Sequence, residues 1–213
     1  MKITIAGAHG KIARLLHPKL IDRGYEVRGL IRKEEQKSDL EEMGVEPVVC
    51  DIEKELDISD AVGDVDAVVF AAGAGPGSGK ERKWSVDRDG AIKLMRACAN
   101  KEIRRYILIS AMGLEDSRGD EVFQVYQKAK KEADEALLNS GLNYTIIKPG
   151  RLTDDDGTGK INAGKLESGE ISREDVAEVI AESLENKHTY YKVFDVLKGE
   201  TPVSEALNSL KKV

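Results

Sequence analysis

The sequence predicts an α/β fold, a doubly wound parallel sheet with helices on both faces. Three observations predict it. Short apolar runs alternate with charged, amphipathic segments from the first residue on, the pattern of repeated β-α-β units. The first run, Lys2-Ile3-Thr4-Ile5-Ala6, passes straight into a glycine turn that opens a helix, Gly7-Ala8-His9-Gly10-Lys11-Ile12-Ala13. No shift of composition and no internal repeat divides the 213 residues, so they are read as one domain, 1–213.

The elements follow in order. The first helix ends at Gly24, and Pro18 inside it removes a backbone hydrogen bond, so a kink or an early end is expected there. A second strand covers Tyr25 to Ile31, a charged helix Lys33 to Met43, and a third strand Val45 to Cys50. A short helix near Leu56 to Val62 precedes a clear strand, Val65 to Ala71. Gly73 to Gly79 is a glycine-rich loop. Then come a helix (Trp84 to Asn100), a strand (Tyr106 to Ser110), a long helix (Val122 to Leu138) and a sixth strand (Tyr144 to Ile147). The chain closes with a helix (Val176 to Leu184), a strand (Lys192 to Leu197) and a helix (Val203 to Leu210).

Composition narrows the function. A net charge of −6 argues against a nucleic-acid partner. No apolar run reaches the roughly 20 residues of a membrane span, and the N-terminal apolar stretch, already occupied by the glycine turn, is too short to read as a signal peptide. The expected location is the cytoplasm. Cys50 and Cys98 lie on apolar segments and read as buried free thiols. The three histidines and two cysteines have no ligand spacing, so no metal site is expected, and His17 and His188 read as surface residues. Asp154-Asp155-Asp156 reads as a solvated turn. Monomer and homodimer both remain open.

The glycine turn has the chemistry of a phosphate grip. Gly7 supplies a positive φ, Gly10 lets backbone approach a pyrophosphate, and Ala13 permits close helix–strand packing. Ala8, His9, Lys11 and Ile12 complete the corner, and the helix N-terminus presents free N–H groups. In open parallel sheets ligands sit past the carboxyl ends of strands. After the second strand stands Arg32, whose guanidinium suits a 2′-phosphate and favours NADP over NAD, although Glu34 and Glu35 are near enough in sequence to neutralise it. After the third come Asp51 and Ile52, Asp51 serving either the adenine amino group or a helix cap. After the fourth, Ala71-Ala72-Gly73 leave room for ribose and pyrophosphate.

Tyr126 and Lys130 stand at i and i+4 on the helix after the fifth strand. An ammonium beside a phenol favours phenolate, so the tyrosine is expected below its ordinary pKa of about 10, ready to exchange a proton during hydride transfer.

Together these residues resemble the atypical short-chain dehydrogenases/reductases, the NAD(P)H-binding group related to NmrA-like proteins. Tyr144-Thr145-Ile146-Ile147-Lys148-Pro149-Gly150 and Ile171-Ser172-Arg173-Glu174-Asp175-Val176-Ala177 extend the resemblance over nearly the whole chain. It implies a single-domain Rossmann-like fold, Pro149 and Gly150 against the nicotinamide end, and Lys130 on the nicotinamide ribose. Relatives often carry the label epimerase/dehydratase. Many end the fifth strand with Ser-Ser; here the pair is Ser110-Ala111, so Ser110 is the expected assistant, with Thr153 a candidate for the missing hydroxyl. Residues 151–175 are expected to form a small substrate-side region, too small for a nucleotide sugar. The expected function is NADP-dependent oxidation or reduction of a small carbonyl or alcohol by Tyr126, Lys130 and Ser110. A non-catalytic NADP(H) sensor and an NAD(P)-dependent epimerase/dehydratase are the alternatives.

Overall fold

The computed structural model describes residues 1–116 and 119–210; residues 117, 118 and 211–213 of the predicted domain lie outside the described residues. Strands buried on both faces of a parallel sheet read as apolar runs. The first, β1 (Lys2–Ala6), leads into α1 (Lys11–Asp22) and β2 (Glu26–Ile31). A 3₁₀ turn and α2 (Lys37–Glu41) precede β3 (Glu46–Val49), α3 (Ser59–Val62) and β4 (Ala67–Phe70). One turn of α4 (Lys80–Arg82) continues as a π-helix over Lys83–Gly90 and then as α5 (Ala91–Asn100). After these come β5 (Arg105–Ile109), α6 (Glu121–Leu138), β6 (Asn143–Pro149), β7 (Arg151–Thr153), β8 (Lys160–Gly164) and β9 (Glu170–Ser172). The chain ends with α7 (Arg173–Ser183), β10 (Lys192–Lys198), β11 (Thr201–Pro202) and α8 (Val203–Asn208).

Among the described residues the main sheet runs β11-β8-β10-β6-β5-β4-β1-β2-β3. From β3 to β10 every neighbouring pair is parallel, and only β8 and β11 add antiparallel pairing at one edge. The chain winds outward from β1 to β3 and then crosses back to β4. A crevice therefore opens between β1 and β4 at their carboxyl ends. Ile3, Ile5, Val69, Ile107 and Ile147 share one core with α1, α7 and α8. Val68, Phe70, Tyr106, Leu108 and Ile146 share the other with α3, α5 and α6. Both faces are thus covered, as predicted. Among the described residues no helix is long and apolar enough to cross a membrane.

Several local expectations are corrected. α1 runs through Pro18 to Asp22 without ending early, because Leu16, His17 and Leu20 are buried on its inner face and tertiary packing outweighs one lost hydrogen bond. His17 is not on the surface: it is fully buried and its Nε2 donates to the Ala8 carbonyl at 2.7 Å. His188 is exposed, as expected. The predicted Trp84–Asn100 helix starts in π geometry. The short strands β7, β8, β9 and β11 were not anticipated. β7 pairs with β9 in a separate two-stranded sheet, while β8 joins the main one.

Candidate cofactor and active site

The crevice begins at the turn after β1. Gly7 has φ +81°, and a Cβ there would lie 2.5 Å from the Ala72 Cα, so only glycine fits against the end of β4. Gly10 precedes α1 with extended backbone and no side-chain cap, which leaves the first N–H groups of the helix for a ligand. A Cβ on Gly10 would come within 3.1 Å of the Gly7 carbonyl. Beneath the turn, Ala8 is fully buried and its carbonyl is held by His17. Lys11 reaches away to Asp154 (2.8 Å), which also meets Arg173 (2.6 Å), so the first of the three aspartates is ion-paired rather than simply solvated.

Two cavities meet at Ala71–Ala74. The first is bounded by Gly7, His9, Gly10, Arg32, Asp51, Ile52 and Ala71–Gly73, all predicted from sequence, and by Gln36, Cys50, Glu53 and Arg82, which were not. His9 Nε2 lies 2.7 Å from Asp39 Oδ2, and that hydrogen bond holds the Asp39 carboxyl below its ordinary pKa. Asp51 Oδ1 accepts the Glu53 N–H at 3.1 Å, so it closes a local turn while also lining the cleft. Arg32 is not neutralised by Glu34 or Glu35. Its Nη1 lies 3.7 Å from Glu53, while Glu34 pairs with Lys37. Both cysteines are free and buried as expected, and burial pushes their thiols up, to about 11 for Cys50 and about 12 for Cys98.

The second cavity, about 730 Å³, contains Ile12, Lys83, Asp87, Ser110, Phe123, Tyr126, Lys130 and Leu152 along with the 71–79 loop. Lys130 is buried. Its Nζ donates to the Ile109 carbonyl (3.0 Å) and pairs with the buried Asp87 (3.4 Å). Asp87 Oδ2 in turn accepts the Ala74 N–H at 3.3 Å. Asp87 was missed in the sequence, yet it stands in helical register with Ala91 and Leu94, an acidic residue on an otherwise apolar face. Ser110 Oγ donates to Asp134 Oδ2 (2.9 Å), which also faces Lys148 Nζ at 3.3 Å. Burial raises the Asp134 pKa, opposed by Lys148, Ser110 and Lys130.

Tyr126 corrects a second expectation. Its pKa is raised, not lowered: burial dominates, Lys130 opposes it, and the charges of Asp87 and Asp134 add to the rise. Its hydroxyl makes no hydrogen bond among the described residues. The ring packs beside Phe123, with centroids 5.8 Å apart, and under the Lys83 ammonium, at 5.5 Å. Thr153 does not line this cavity, whereas its neighbour Leu152 does. Nor do Pro149 and Gly150. Pro149 is buried in β6, and a Cβ on Gly150 would meet Leu197 at 2.4 Å and the Gly169 carbonyl at 2.5 Å. A buried arginine was also missed: Arg105 donates to the Ser183 and Leu184 carbonyls and so ties β5 to the end of α7, away from the crevice.

A switch-point crevice and a glycine turn opening a helix are the features of a dinucleotide-binding fold. The chain belongs to the NAD(P)H-binding family, whose model matches residues 7–187. It is similar to the uncharacterized sugar epimerase YhfK of Bacillus subtilis, 41% identical over 99% of this chain and 100% of that one. Among solved structures, it is similar to a provisionally named NAD-dependent epimerase/dehydratase from Bacillus halodurans (38% identity, TM-score 0.92, covering 99% and 100% of the two chains). It is also similar to the oxidoreductase ylbE from Lactococcus lactis (31% identity, TM-score 0.85, covering 98% and 96%).

Proposed function

We propose that this protein is an NADP(H)-dependent oxidoreductase that reduces a small, largely apolar carbonyl compound or oxidises the corresponding alcohol. The observation that carries the reading is the Tyr126 hydroxyl in the second cavity, without a hydrogen-bond partner among the described residues, with the anchored Lys130 one turn away on α6. The uncapped α1 terminus and the Gly7–Gly10 turn would hold the pyrophosphate, Arg32 the 2′-phosphate, and Lys130 the nicotinamide ribose. Bound there, the dinucleotide supplies or accepts a hydride. Tyr126 gives its proton to the carbonyl oxygen as negative charge develops on it. With its pKa above the ordinary value of about 10, the phenol is protonated at neutral pH, the form that a proton donor needs for carbonyl reduction. Lys130 opposes the effect of burial and eases release of the proton. Ile12, Leu152, Val122 and Phe123 give the cavity apolar walls, which supports an apolar substrate over a polyhydroxyl sugar.

One observation favours the sensor as a second reading. Ser110 donates its proton to Asp134, and Ala111 offers no hydroxyl, so Tyr126 lacks the usual neighbouring donor. The test is a screen of aldehydes, ketones and quinones with NADPH consumption as readout. The reductase reading expects turnover on at least one class and its loss in Tyr126→Phe. Tight NADPH binding with no turnover on any of them would leave the sensor.

A further inference from the structure

The adenosine side of the crevice holds more positive charge than the residue after β2 supplies. Two guanidinium groups, Arg32 from the end of β2 and Arg82 from α4, flank a single carboxylate, Glu53. Arg82 grips it from Nη2 at 2.8 Å and Nε at 3.2 Å, while Arg32 Nη1 approaches only to 3.7 Å. Ser85 Oγ donates to the same carboxylate at 2.7 Å. Burial alone would raise the Glu53 pKa, but the bonds from Arg82 and Ser85 and the charges of both arginines hold it below its ordinary value, so it is an anion at neutral pH. These residues come from separate segments of the chain, and Arg32, Glu53 and Arg82 all line the first cavity. Two guanidinium forks facing one anionic group make an arrangement that also suits a phosphomonoester.

We propose that Arg32 and Arg82 together form the subsite for the adenosine 2′-phosphate, and that Glu53 is its resident competitor, which the phosphate must displace. The proposal rests on the NADP reading above. A dianionic phosphate can take over guanidinium donors held by a monoanionic carboxylate. A neutral 2′-hydroxyl cannot, and leaves the cluster closed. Arg32, the more loosely held arginine, engages the phosphate first; freeing Arg82 from its bidentate grip limits the preference. Glu53 therefore limits the discrimination between NADP and NAD that Arg32 and Arg82 provide.

The test needs no turnover. Titration calorimetry compares adenosine 2′,5′-bisphosphate with adenosine 5′-monophosphate on the native protein and on Glu53→Gln, Arg82→Gln and Arg32→Asp. Glu53→Gln keeps the side-chain shape and removes its charge. It is expected to tighten the bisphosphate about three- to fivefold, the size of a part-exposed ion pair, and to leave the monophosphate within about twofold. Arg82→Gln is expected to weaken the bisphosphate at least about fivefold, since it removes one donor and leaves Glu53 to close on Arg32. No gain in Glu53→Gln, or an equal change for both nucleotides, overturns the proposal. So does weaker monophosphate binding in that variant, which would mean that Glu53 serves the ribose hydroxyl. The two readings fail separately. If Arg32→Asp leaves the preference unchanged, the NADP reading falls; if it abolishes the preference while Glu53→Gln does nothing, only the resident competitor falls.

Discussion

The two halves of the crevice hold charge in opposite ways. On the side proposed for adenosine, Arg32, Arg82 and Glu53 lie near the surface in one shared cluster, where partners can be exchanged. On the Tyr126 side Lys130 and Asp87 are almost wholly buried, and each has fixed additional partners, the Ile109 carbonyl and the Ala74 N–H. An exposed ion pair is worth at most about 1 kcal/mol and rearranges cheaply, whereas breaking a buried one leaves an uncompensated charge. The difference teaches that charge in the first half can change partners, whereas the second half holds one geometry.

The largest expected effect attacks the buried half. Asp87→Ala strands Lys130 and should destabilise the fold by about 3–5 kcal/mol in denaturant unfolding. Glu53→Ala, in the exposed cluster, should cost about 1 kcal/mol or less. Equal costs would erase the contrast. Next comes the glycine turn that serves both halves. Gly10→Val puts a branched side chain at the turn proposed to hold the pyrophosphate, 3.1 Å from the Gly7 carbonyl at its Cβ alone. Binding of NADPH and NADH should both fall by about a hundredfold or more, close to 3 kcal/mol, with the circular dichroism spectrum retained. Normal binding would reduce the loop to a packing turn.

A smaller effect appears with pH. Because the Tyr126 pKa lies above its ordinary value of about 10, the proton-donating form is complete at neutral pH and is lost only as pH rises through the raised pKa. The rate of carbonyl reduction should therefore show no loss assignable to Tyr126 between pH 7 and about 9, and fall in more alkaline solution. A decline centred near neutrality would mean that Lys130 outweighs burial.

What the sequence revealed follows the same division. Gly7, Gly10, Arg32, Asp51 and Ala71–Gly73 were legible because each lies just past a strand, where the parallel sheet opens. Tyr126 and Lys130 were legible from their spacing, but the sign of the tyrosine's shift was not, since burial comes from distant segments. Glu53 and Arg82 are 29 residues apart and meet only through the fold. Asp87 left a trace as an acid on an apolar helix face, and Asp134 as the next step of the Tyr126–Lys130 spacing. The pairing of β7 with β9 left almost none, because three-residue strands carry too little alternation to read. His17 shows the reverse error: its polarity suggested the surface, whereas its burial supports the turn that carries Gly7 and Gly10.

The central claim is that the affinity gained from the 2′-phosphate resides in the half proposed for adenosine and proton transfer in the Tyr126 half. Calorimetric titration of NADPH into the native protein, Arg32→Asp and Tyr126→Phe tests it most directly. Loss of a charge-assisted bidentate contact costs about 1.5–3 kcal/mol, so Arg32→Asp should bind NADPH about ten- to a hundredfold more weakly. Tyr126→Phe should bind it within about twofold of the native protein. A Tyr126→Phe protein that loses as much NADPH affinity as Arg32→Asp would contradict the division.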